Sequence, residues 1–355
     1  MKEIVLNETP LKTTQGFNIN NIKLNSINMP TNISEFKNVS IICDSKDVSI
    51  TDINTDYSVR YGVSKDFINE AKNNSNSRIN LRIKSINESK IQVNYLLDLL
   101  NPNLISNIQI NADENTKATI VIKLESNEDI VGYSNLLLKV VAGLNSNIEI
   151  ILINKLDRNV SNFITIDNEL YENSKLNYMI VDFGGKTSVT NYYSELIGNN
   201  SSNDIKTMYL GSGAQVLDLN YIADLKGENS NVDIKVEGVL KDSSKKHFKG
   251  TIDFKKGAKK AVGNESESCL LLSDKAKAIS LPMLLCTEED VEGNHSSSAG
   301  KVDEKELFYM MSRGFSVKEA LKLIAYAKFN QLISNIKSNS LREEILEIIN
   351  KKLDE

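Results

Sequence analysis

The sequence predicts a mainly β protein in which a solenoid of stacked coils is followed by a small helical region. Three observations support this prediction. Residues 78–290 form short runs of alternating apolar and polar residues bounded by Gly, Asn, Ser and Asp, as is typical of strands. Turn residues recur about every 15 positions in the second half of that stretch. After residue 300 the apolar spacing becomes that of amphipathic helices.

Composition and charge narrow the class of protein. The chain has 355 residues, enough for a sizeable core, with 40% hydrophobic and 25% charged residues. Acids and bases are interleaved around a net charge of −5, so no basic stripe indicates a nucleic acid partner. No apolar run approaches the roughly 18 residues of a membrane helix, and the first residues lack an apolar signal core. Three widely spaced cysteines favour a reducing compartment, so we expect a cytoplasmic protein.

The pattern divides the chain into three regions: an irregular N-terminal segment (1–77), a β core (78–298) and a C-terminal helical domain (299–355). The first region is rich in Asn, Ser and Thr. It contains a strand-like piece at Val39–Ile42 and a predicted helix near Lys65–Lys72.

Turn residues set the spacing within the β core. They are Gly198, Gly213, Gly227, Ser243, Gly257 and Ser273. A unit of one turn and one strand that repeats in this way is typical of a solenoid, in which each coil buries its face against the next. Evenly spaced strands are also typical of a β-sandwich, so the spacing alone leaves both folds open.

Start and stop signals predict three helices in the C-terminal region. Capping-box spacings begin at Asp303, Ser316 and Ser340, each followed by Glu three positions later. Gly314 is placed to end the first helix in a left-handed C-cap. The second and third helices each have one apolar face, which must pack on the other helices, on the β core or on a partner.

The motifs of several enzyme classes are missing or incomplete. Residues 184–187 (Gly-Gly-Lys-Thr) resemble the end of a phosphate-binding loop, but Ile180 stands where that motif needs Gly, which favours a β-turn. The chain has no Gly-x-Ser-x-Gly elbow, and its two His without a Cys-x-x-Cys pair argue against a self-contained zinc or cluster site. A polysaccharide-active β-helix needs paired acids on one coil face, and no pattern sets Asp218, Asp224 and Asp233 at matching places. We therefore expect that the chain is not an enzyme.

His295 is the candidate metal ligand. Its surroundings, rich in Gly, Asn and Ser, predict a loop that leaves the last strand, where a polar histidine needs no function. The functional interpretation is an iron ligand, because imidazole is a good donor to iron. Glu292 in the same predicted loop and Cys286 on the preceding strand are further candidate donors. Cys286 and Cys269 both adjoin apolar residues, which favours buried, inert thiols.

Four motifs follow one another near the end of the chain. They are Leu270-Leu271-Leu272-Ser273, Ala278-Ile279-Ser280-Leu281-Pro282, His295, and Glu304 to Gly314 with the sequence Glu-Lys-Glu-Leu-Phe-Tyr-Met-Met-Ser-Arg-Gly. In this order they resemble the C-terminal signature of the SufB/SufD family, the scaffold subunits of bacterial iron–sulfur cluster assembly. The resemblance extends from about residue 115 to about residue 330 and is most specific between 246 and 314.

The ligands of the two paralogues in that family differ. SufB-type members have a Cys three positions before the Leu-rich segment and a Glu just after the loop His, where this chain has Glu267 and Ser296. SufD-type members often carry Cys-x-His in the loop, and here the matching residues are Gly293, Asn294 and His295. The resemblance therefore indicates a SufD-like member with a reduced ligand set.

The resemblance implies a right-handed parallel β-helix that pairs with a SufB-type subunit or with a second copy, and that docks a SufC-type ATPase through residues 301–336. The candidate docking residues are Leu307, Phe308, Tyr309, Met311, Arg313 and Gly314. No cofactor would be bound stably, and iron or an iron–sulfur cluster would pass transiently through the subunit interface. Neither nucleic acid nor membrane is an expected partner. The rival hypothesis is a β-solenoid adaptor with no metal role.

Overall fold

The computed structural model describes residues 3–354 except for residues 13–18, 26, 28, 32, 44–47 and 52–56. Its centre is a parallel β-solenoid of eight coils, which confirms the predicted mainly β fold. In chain order the elements are β1 (Glu3–Leu6), β2 (Ile22–Asn25), β3 (Val39–Ile42), β4 (Val48–Thr51), α1 (Lys65–Asn73), β5 (Ser77–Ile83), β6 (Ile86–Leu97), β7 (Asn103–Ala112), β8 (Lys117–Ser126), β9 (Gly132–Ala142), β10 (Asn147–Lys155), β11 (Val160–Leu170), β12 (Lys175–Asp182), β13 (Thr187–Leu196), β14 (Ser202–Gly211), β15 (Val216–Leu225), β16 (Asn231–Leu240), β17 (Lys245–Phe254), β18 (Ala261–Leu271), β19 (Lys277–Cys286), β20 (Val291–Lys301), α2 (Glu304–Ser312), α3 (Val317–Ile333) and α4 (Asn339–Asp354).

Each coil contributes one strand to each of two nine-stranded sheets. The even sheet contains β3 and the even-numbered strands from β6 to β20, and the odd sheet contains β4 and the odd-numbered strands from β5 to β19. Within a sheet, strands of successive coils pair in parallel, so that Ile150 lies between Ile120 and Tyr178. Strands β3 and β4 join the first coil in antiparallel pairs. This parallel pairing of every second strand distinguishes the solenoid from a sandwich, which is built from antiparallel strands.

The repeat predicted from turn residues corresponds to half a coil, because each coil has two strands and two corners. One corner recurs as left-handed backbone at Asn115, Asn145, Asn173, Asn200 and Asn229, with φ between 54° and 57°. Asn tolerates this conformation better than most residues. The side chains also form a ladder, in which the amide of Asn145 donates to Asn115 and that of Asn173 donates to Asn145, at 2.9 and 3.0 Å. These asparagines, as well as the glycines, mark the corners.

The space between the two sheets is the main core, and its composition changes along the solenoid. Most coils fill it with apolar side chains, including a column of rings in which Tyr221 packs between Tyr192 and Phe248 with centroids 5.5 and 5.9 Å apart. Towards the last coils charged residues enter the same space, since Lys246 and Glu267 are fully buried there. The polar end of the core is therefore the end nearest to β20.

The N-terminal segment packs on the outer face of the odd sheet. Helix α1 is N-capped by Ser64 and matches the helix predicted near Lys65–Lys72, and its Phe67 ring lies 4.4 Å from that of Phe163. The side chain of Asn7 is buried against the sheet and donates to Asp218 Oδ1 at 2.5 Å. These contacts attach the segment to the middle of the solenoid.

The C-terminal helices α3 and α4 pack on the outer face of the even sheet. The ring of Phe329 lies 5.9 Å from that of Phe183, in a buried cluster shared by both helices and the sheet. Ion pairs of 2.7 Å from Lys328 to Glu237 and from Lys123 to Glu344 border this contact. None of the helices in the described part of the chain is long and apolar enough to cross a membrane. The apolar faces of α3 and α4 are thus satisfied by the β core.

One of the three predicted helix starts is misplaced. The capping box of Ser316 and Glu319 is present as predicted at the start of α3. The one predicted at Ser340 is wrong, because α4 already begins at Asn339 and its Arg342 N–H donates to the carbonyl of Ser338 at 3.0 Å. This hydrogen bond places Ser340 inside the first turn of α4, so Ser340 is not the N-cap residue.

Two sequence features that could indicate an enzyme, the Gly-Gly-Lys-Thr segment and the aspartates of the β core, are explained by the fold. Residues 183–186 connect β12 to β13, so a strand follows Gly184, Gly185 and Lys186, where a phosphate-binding loop needs a helix. Asp224 lies in register with Glu195 and Asp253 of the neighbouring coils, so carboxylates stack there, although neither Asp218 nor Asp233 takes part. The Asp224 carboxylate is balanced by the guanidinium of Arg60 at 3.5 Å, as expected for a structural ion pair.

Candidate functional site

The sequence predicts a loop around His295, but the structure has a strand there. Strand β20 pairs in parallel with β18 over its whole length, and His295 lies opposite Glu265. The backbone gains this ladder of hydrogen bonds, while no further coil covers the side chains, so short polar residues suffice. The loop-like composition of this edge strand is the reason why the prediction fails.

His295 points towards the inside of the solenoid at its open end. Two residues before it, a Cβ at Gly293 would lie 3.1 Å from the interior ring of Phe254. Two residues after it, Ser297 donates a 3.0 Å hydrogen bond to the buried carboxylate of Glu267. Because side chains alternate along a strand, His295 shares this inward face. It is exposed because β20 belongs to the last coil.

Glu265 lies one coil below His295, on the same inward face. Its side chain is 2% exposed, and neither carboxylate oxygen has a hydrogen-bond partner. Burial and the neighbouring charge of Glu267 raise the pKa of Glu265 from 4.5 to about 8. Gly250 on the facing strand makes room for the carboxylate, because a Cβ there would lie 2.2 Å from its oxygen. A buried carboxyl group without a partner is costly to maintain.

Glu267, two residues further along β18, has the opposite environment. Lys246 Nζ lies 2.7 Å from its Oε1, and both side chains are fully buried. The hydroxyl of Tyr209 donates to the same oxygen at 2.9 Å, and Ser280 and Ser297 donate to Oε2 at 2.9 and 3.0 Å. Both carboxylate oxygens of Glu267 are thus satisfied inside the solenoid by the ion pair and by hydrogen bonds. Glu267 therefore already binds other residues of the chain through both oxygens, and neither oxygen is free to bind a metal ion.

The other two candidate donors lie away from His295. Glu292 occupies an outward position on β20, where Asn294 donates to it at 3.5 Å. Cys286 ends β19 in register with Phe254, and its thiol contacts the carbonyl of Glu288 at 2.8 Å. Contrary to the expected buried thiol, Cys286 is exposed, whereas Cys269 is buried. Within the described residues, no three His, Cys, Asp or Glu side chains are close enough together to hold a metal ion.

Helix α2 presents the candidate docking residues to solvent. Phe308 is 72% exposed, Tyr309 57% and Met311 43%, and no residue of this helix is buried. Leu307 is partly exposed on the same helix. Exposed aromatic and Met side chains in one short helix are typical of protein–protein contact surfaces.

Both ends of α2 are fixed by capping contacts. Asp303 accepts a hydrogen bond from the Lys305 N–H at 2.8 Å. Gly314 has a φ of 98°, as the predicted left-handed C-cap requires, and its N–H donates to the carbonyl of Met311 at 3.0 Å. The guanidinium of Arg313 lies 5.1 Å from the centre of the Tyr309 ring. These contacts stabilise α2, although few of its side chains pack against the rest of the protein.

Sequence reasoning missed Lys246 and Glu265, although a signal for Glu265 was available. Glu265 and Glu267 are two positions apart on one strand, so both lie on the same face. Gly263 and Cys269 share that face, and small or apolar residues at alternate positions indicate an interior surface. Two acids on an interior face indicate a polar cluster in the core.

The chain resembles known proteins over most of its length. The family model described as "SUF system FeS cluster assembly, SufBD core domain" matches residues 96–328. The chain is 26% identical over 270 residues to the iron–sulfur cluster assembly protein SufD of Bacillus subtilis, covering 75% of this chain and 61% of that protein. It is 24% identical over 170 residues to SufD of Escherichia coli, covering 48% of this chain and 40% of that protein.

A SufBD family protein of Pyrococcus horikoshii is 32% identical over 154 residues, covering 43% of this chain and 33% of that protein. The chain thus spans less than two thirds of the length of these relatives. The matched family region contains most of the solenoid and continues into α3. The chain therefore belongs to the SufB/SufD family of iron–sulfur cluster assembly proteins, as a SufD-like member.

Proposed function

We propose that this chain is a non-catalytic scaffold subunit of a cytoplasmic Suf-type assembly complex. In this role it docks a SufC-type ATPase through the C-terminal segment 301–336 and pairs through its last coil with a SufB-type paralogue or with a second copy. The observation that carries the proposal is the contrast between α2, which exposes Phe308 and Tyr309, and α3 and α4, which are buried on the even sheet.

The arrangement of the helices supports ATPase docking. Helix α3 contacts β14 and β16, and the even sheet continues from these strands to β20. A partner that binds α2 and moves would therefore act on a rigid sheet that ends at His295. Such rigid-body coupling is an ordinary way to transmit a nucleotide-driven closure.

The last coil supports pairing with another β protein. Strands β19 and β20 end their respective sheets, so in the described part of the chain each has one edge without a neighbouring strand. Such edges pair readily with strands of another molecule. Pairing there would also cover the polar end of the core and bring donors of the partner close to His295.

The proposal includes a more specific claim, which is that His295 binds the metal cargo. An imidazole at the open end of the core could bind iron or a cluster as cargo, with further donors from the partner. The alternative is a β-solenoid adaptor with no metal role. It is favoured by Glu267, which stands where SufB-type members have a Cys and is already bonded to Lys246.

Co-purification from one cell tests the proposal. The full chain would be expressed with a SufC-type ATPase and, in a second experiment, with a SufB-type paralogue. Stable association with the ATPase that is lost in a Phe308→Ala/Tyr309→Ala variant supports docking through α2. Truncation after Gly300 is a poorer test, because it also uncovers the apolar outer face of the even sheet. Association with neither partner would refute the assembly role.

A further inference from the structure

Three apolar side chains at one corner of the solenoid are almost fully exposed. In loop 98–102, which connects β6 to β7, Leu99 is 83% and Leu100 88% exposed. Val131 is 81% exposed in loop 127–131, which forms the same corner one coil further on. Side chains as exposed as these contribute little to folding, and a group of them on a protein surface often marks an interaction site. We call Leu99, Leu100 and Val131 the corner patch.

The two loops that carry the corner patch are stacked on each other. The Asn127 N–H donates to the carbonyl of Leu97 at 2.9 Å, and the Tyr133 N–H donates to the carbonyl of Pro102 at 3.0 Å. These two bonds join the loops at both of their ends. The corner patch therefore belongs to neighbouring loops of one surface.

Hydrogen bonds to Asp98 hold the first of these loops in one shape. Its Oδ1 accepts from the N–H groups of Leu100 and Asn101 at 2.8 and 2.7 Å, and its Oδ2 accepts from the side-chain amide of Asn38 at 2.5 Å. The backbone hydrogen bond from Asn101 is the main reason why the pKa of Asp98 lies below its usual value. An ordered loop loses little conformational entropy when it binds, so Leu99 and Leu100 are preorganised for a contact.

Carboxylates outnumber cations around the corner patch. Loops 98–102, 127–131 and 156–159 contain four carboxylates and one cation, which are Asp98, Glu128, Asp129, Asp157 and Arg158. Arg158 lies 3.6 Å from Asp129, and Lys351 of α4 pairs with Glu128. Both ion pairs are exposed to solvent and therefore weak, so basic groups of a partner can replace these cations. The excess of negative charge favours a basic partner and disfavours the anionic surface of a lipid bilayer.

We propose that the corner patch docks a protein that has an apolar pocket surrounded by Lys and Arg. Leucines that project from an ordered loop suit such a pocket, and the exposed acids beside them suit its basic rim. Six strand spacings of about 4.8 Å separate β8, which precedes loop 127–131, from β20, so the patch lies about 30 Å from the open end. This partner is therefore a further protein, and the inference does not depend on the function proposed for α2 and the last coil.

Site-specific photocrosslinking is the first part of the test. In the cells that make the chain, a photoreactive phenylalanine analogue would replace either Leu99 or, as the control, Leu144. Leu144 is also exposed but lies at the opposite corner of the solenoid. We expect irradiation to join the chain to one protein through position 99 and not through position 144.

The affinity of that protein, once purified, for the full chain is the decisive measurement. Leu99→Ser/Leu100→Ser should lower the affinity at least about tenfold, because the side chains that fill the pocket are lost. Leu144→Ser is the matched control and should bind like the original chain. Both variants should keep the Tm of the original chain within about two degrees, because the altered side chains are exposed.

A second variant tests the basic rim. Glu128→Gln/Asp129→Asn should lower the affinity about threefold or more at low salt and less at high salt, because salt screens the lost attraction. Asn also suits position 129, where φ is 57°. Equal binding by this variant at every salt concentration would contradict a basic partner.

Other results would overturn the inference as a whole. One is that no protein is joined more strongly through position 99 than through position 144. Another is a crosslink to a second copy of the chain, to the SufC-type ATPase or to the SufB-type paralogue, because none of these is a further protein. Unchanged affinity of Leu99→Ser/Leu100→Ser would exclude the patch. Sedimentation of the chain with phosphatidylglycerol vesicles, lost in the same variant, would show that the patch binds membranes instead.

Discussion

Lys246 and Glu267 form a fully buried ion pair inside the solenoid, with 2.7 Å between Nζ and Oε1. Lys246 lies on β17 of the odd sheet and Glu267 on β18 of the even sheet, so the pair joins the two sheets across the core. It lies in the coil directly before the last one. The polar end of the core is therefore held together by charge and hydrogen bonds.

Breaking this pair should destabilise the protein strongly. In Lys246→Met, the carboxylate of Glu267 remains buried without its cation, and such changes cost about 3–5 kcal/mol in unfolding free energy. The double variant Lys246→Met/Glu267→Leu should recover a large part of this loss, because no buried charge remains. Urea denaturation of the three proteins measures the effect. Equal stability of Lys246→Met and the original chain would show that the pair does not form.

Asp182 should make stability depend on pH. It is buried against Asn154 and Ser188, and desolvation raises its pKa from 3.8 to about 6. Because the folded protein binds the proton more tightly than the unfolded chain, this contribution to stability is complete below about pH 4 and is lost as pH rises through about 6. A shift of this size corresponds to roughly 3 kcal/mol.

The matched comparison for this prediction is Asp182→Asn, which cannot ionise. As the pH rises from about 4 to about 7, this variant should become increasingly stable relative to the original chain, by up to about 3 kcal/mol in unfolding free energy. Asp66→Asn, at an exposed position of α1, is the control and should show no such gain. Parallel pH profiles for the original chain and Asp182→Asn would contradict the buried titration.

The parts of the fold that depend on local rules were predictable from sequence. The capping box at Ser316 and the left-handed Gly314 are correct because each involves neighbouring backbone groups only. The strands were predictable because an interior between two sheets imposes alternation. The corner asparagines were less visible, since an Asn such as Asn173 is also common in ordinary loops.

The parts that depend on contacts between strands were not predictable. Strand β20 looks like a loop because its pairing with β18 involves the backbone, which leaves no signal in the side chains. The pairing of Lys246 with Glu267 and the isolation of Glu265 depend on which residues of β17 and β18 face each other across the core. The sequence alone does not fix the register of the strands, so it does not show which of their residues come together.

Exposed aromatic residues on α2 should contribute to ATPase binding and not to folding. Phe308→Ala/Tyr309→Ala should weaken association with a SufC-type ATPase at least tenfold, which corresponds to about 1.4 kcal/mol or more. The Tm should stay within a degree or two, because these side chains are mostly exposed. Phe329→Ala is the contrasting variant, since that buried ring packs on Phe183 and its loss should cost about 3–5 kcal/mol. Unchanged ATPase binding by the double variant would exclude α2 as the docking site.

His295→Ala should separate a metal role from a structural one. The side chain is exposed at the open end, so its removal should leave the unfolding free energy within about 0.5 kcal/mol of the original value. In a reconstituted assembly reaction with the partner subunits, cluster transfer to an acceptor protein should fall if His295 has the proposed role, because its imidazole is lost. Ser296→Ala on the neighbouring outward position is the control and should transfer normally. Normal transfer by His295→Ala would favour the adaptor without a metal role, and unfolding of this variant would show that the histidine stabilises the last coil.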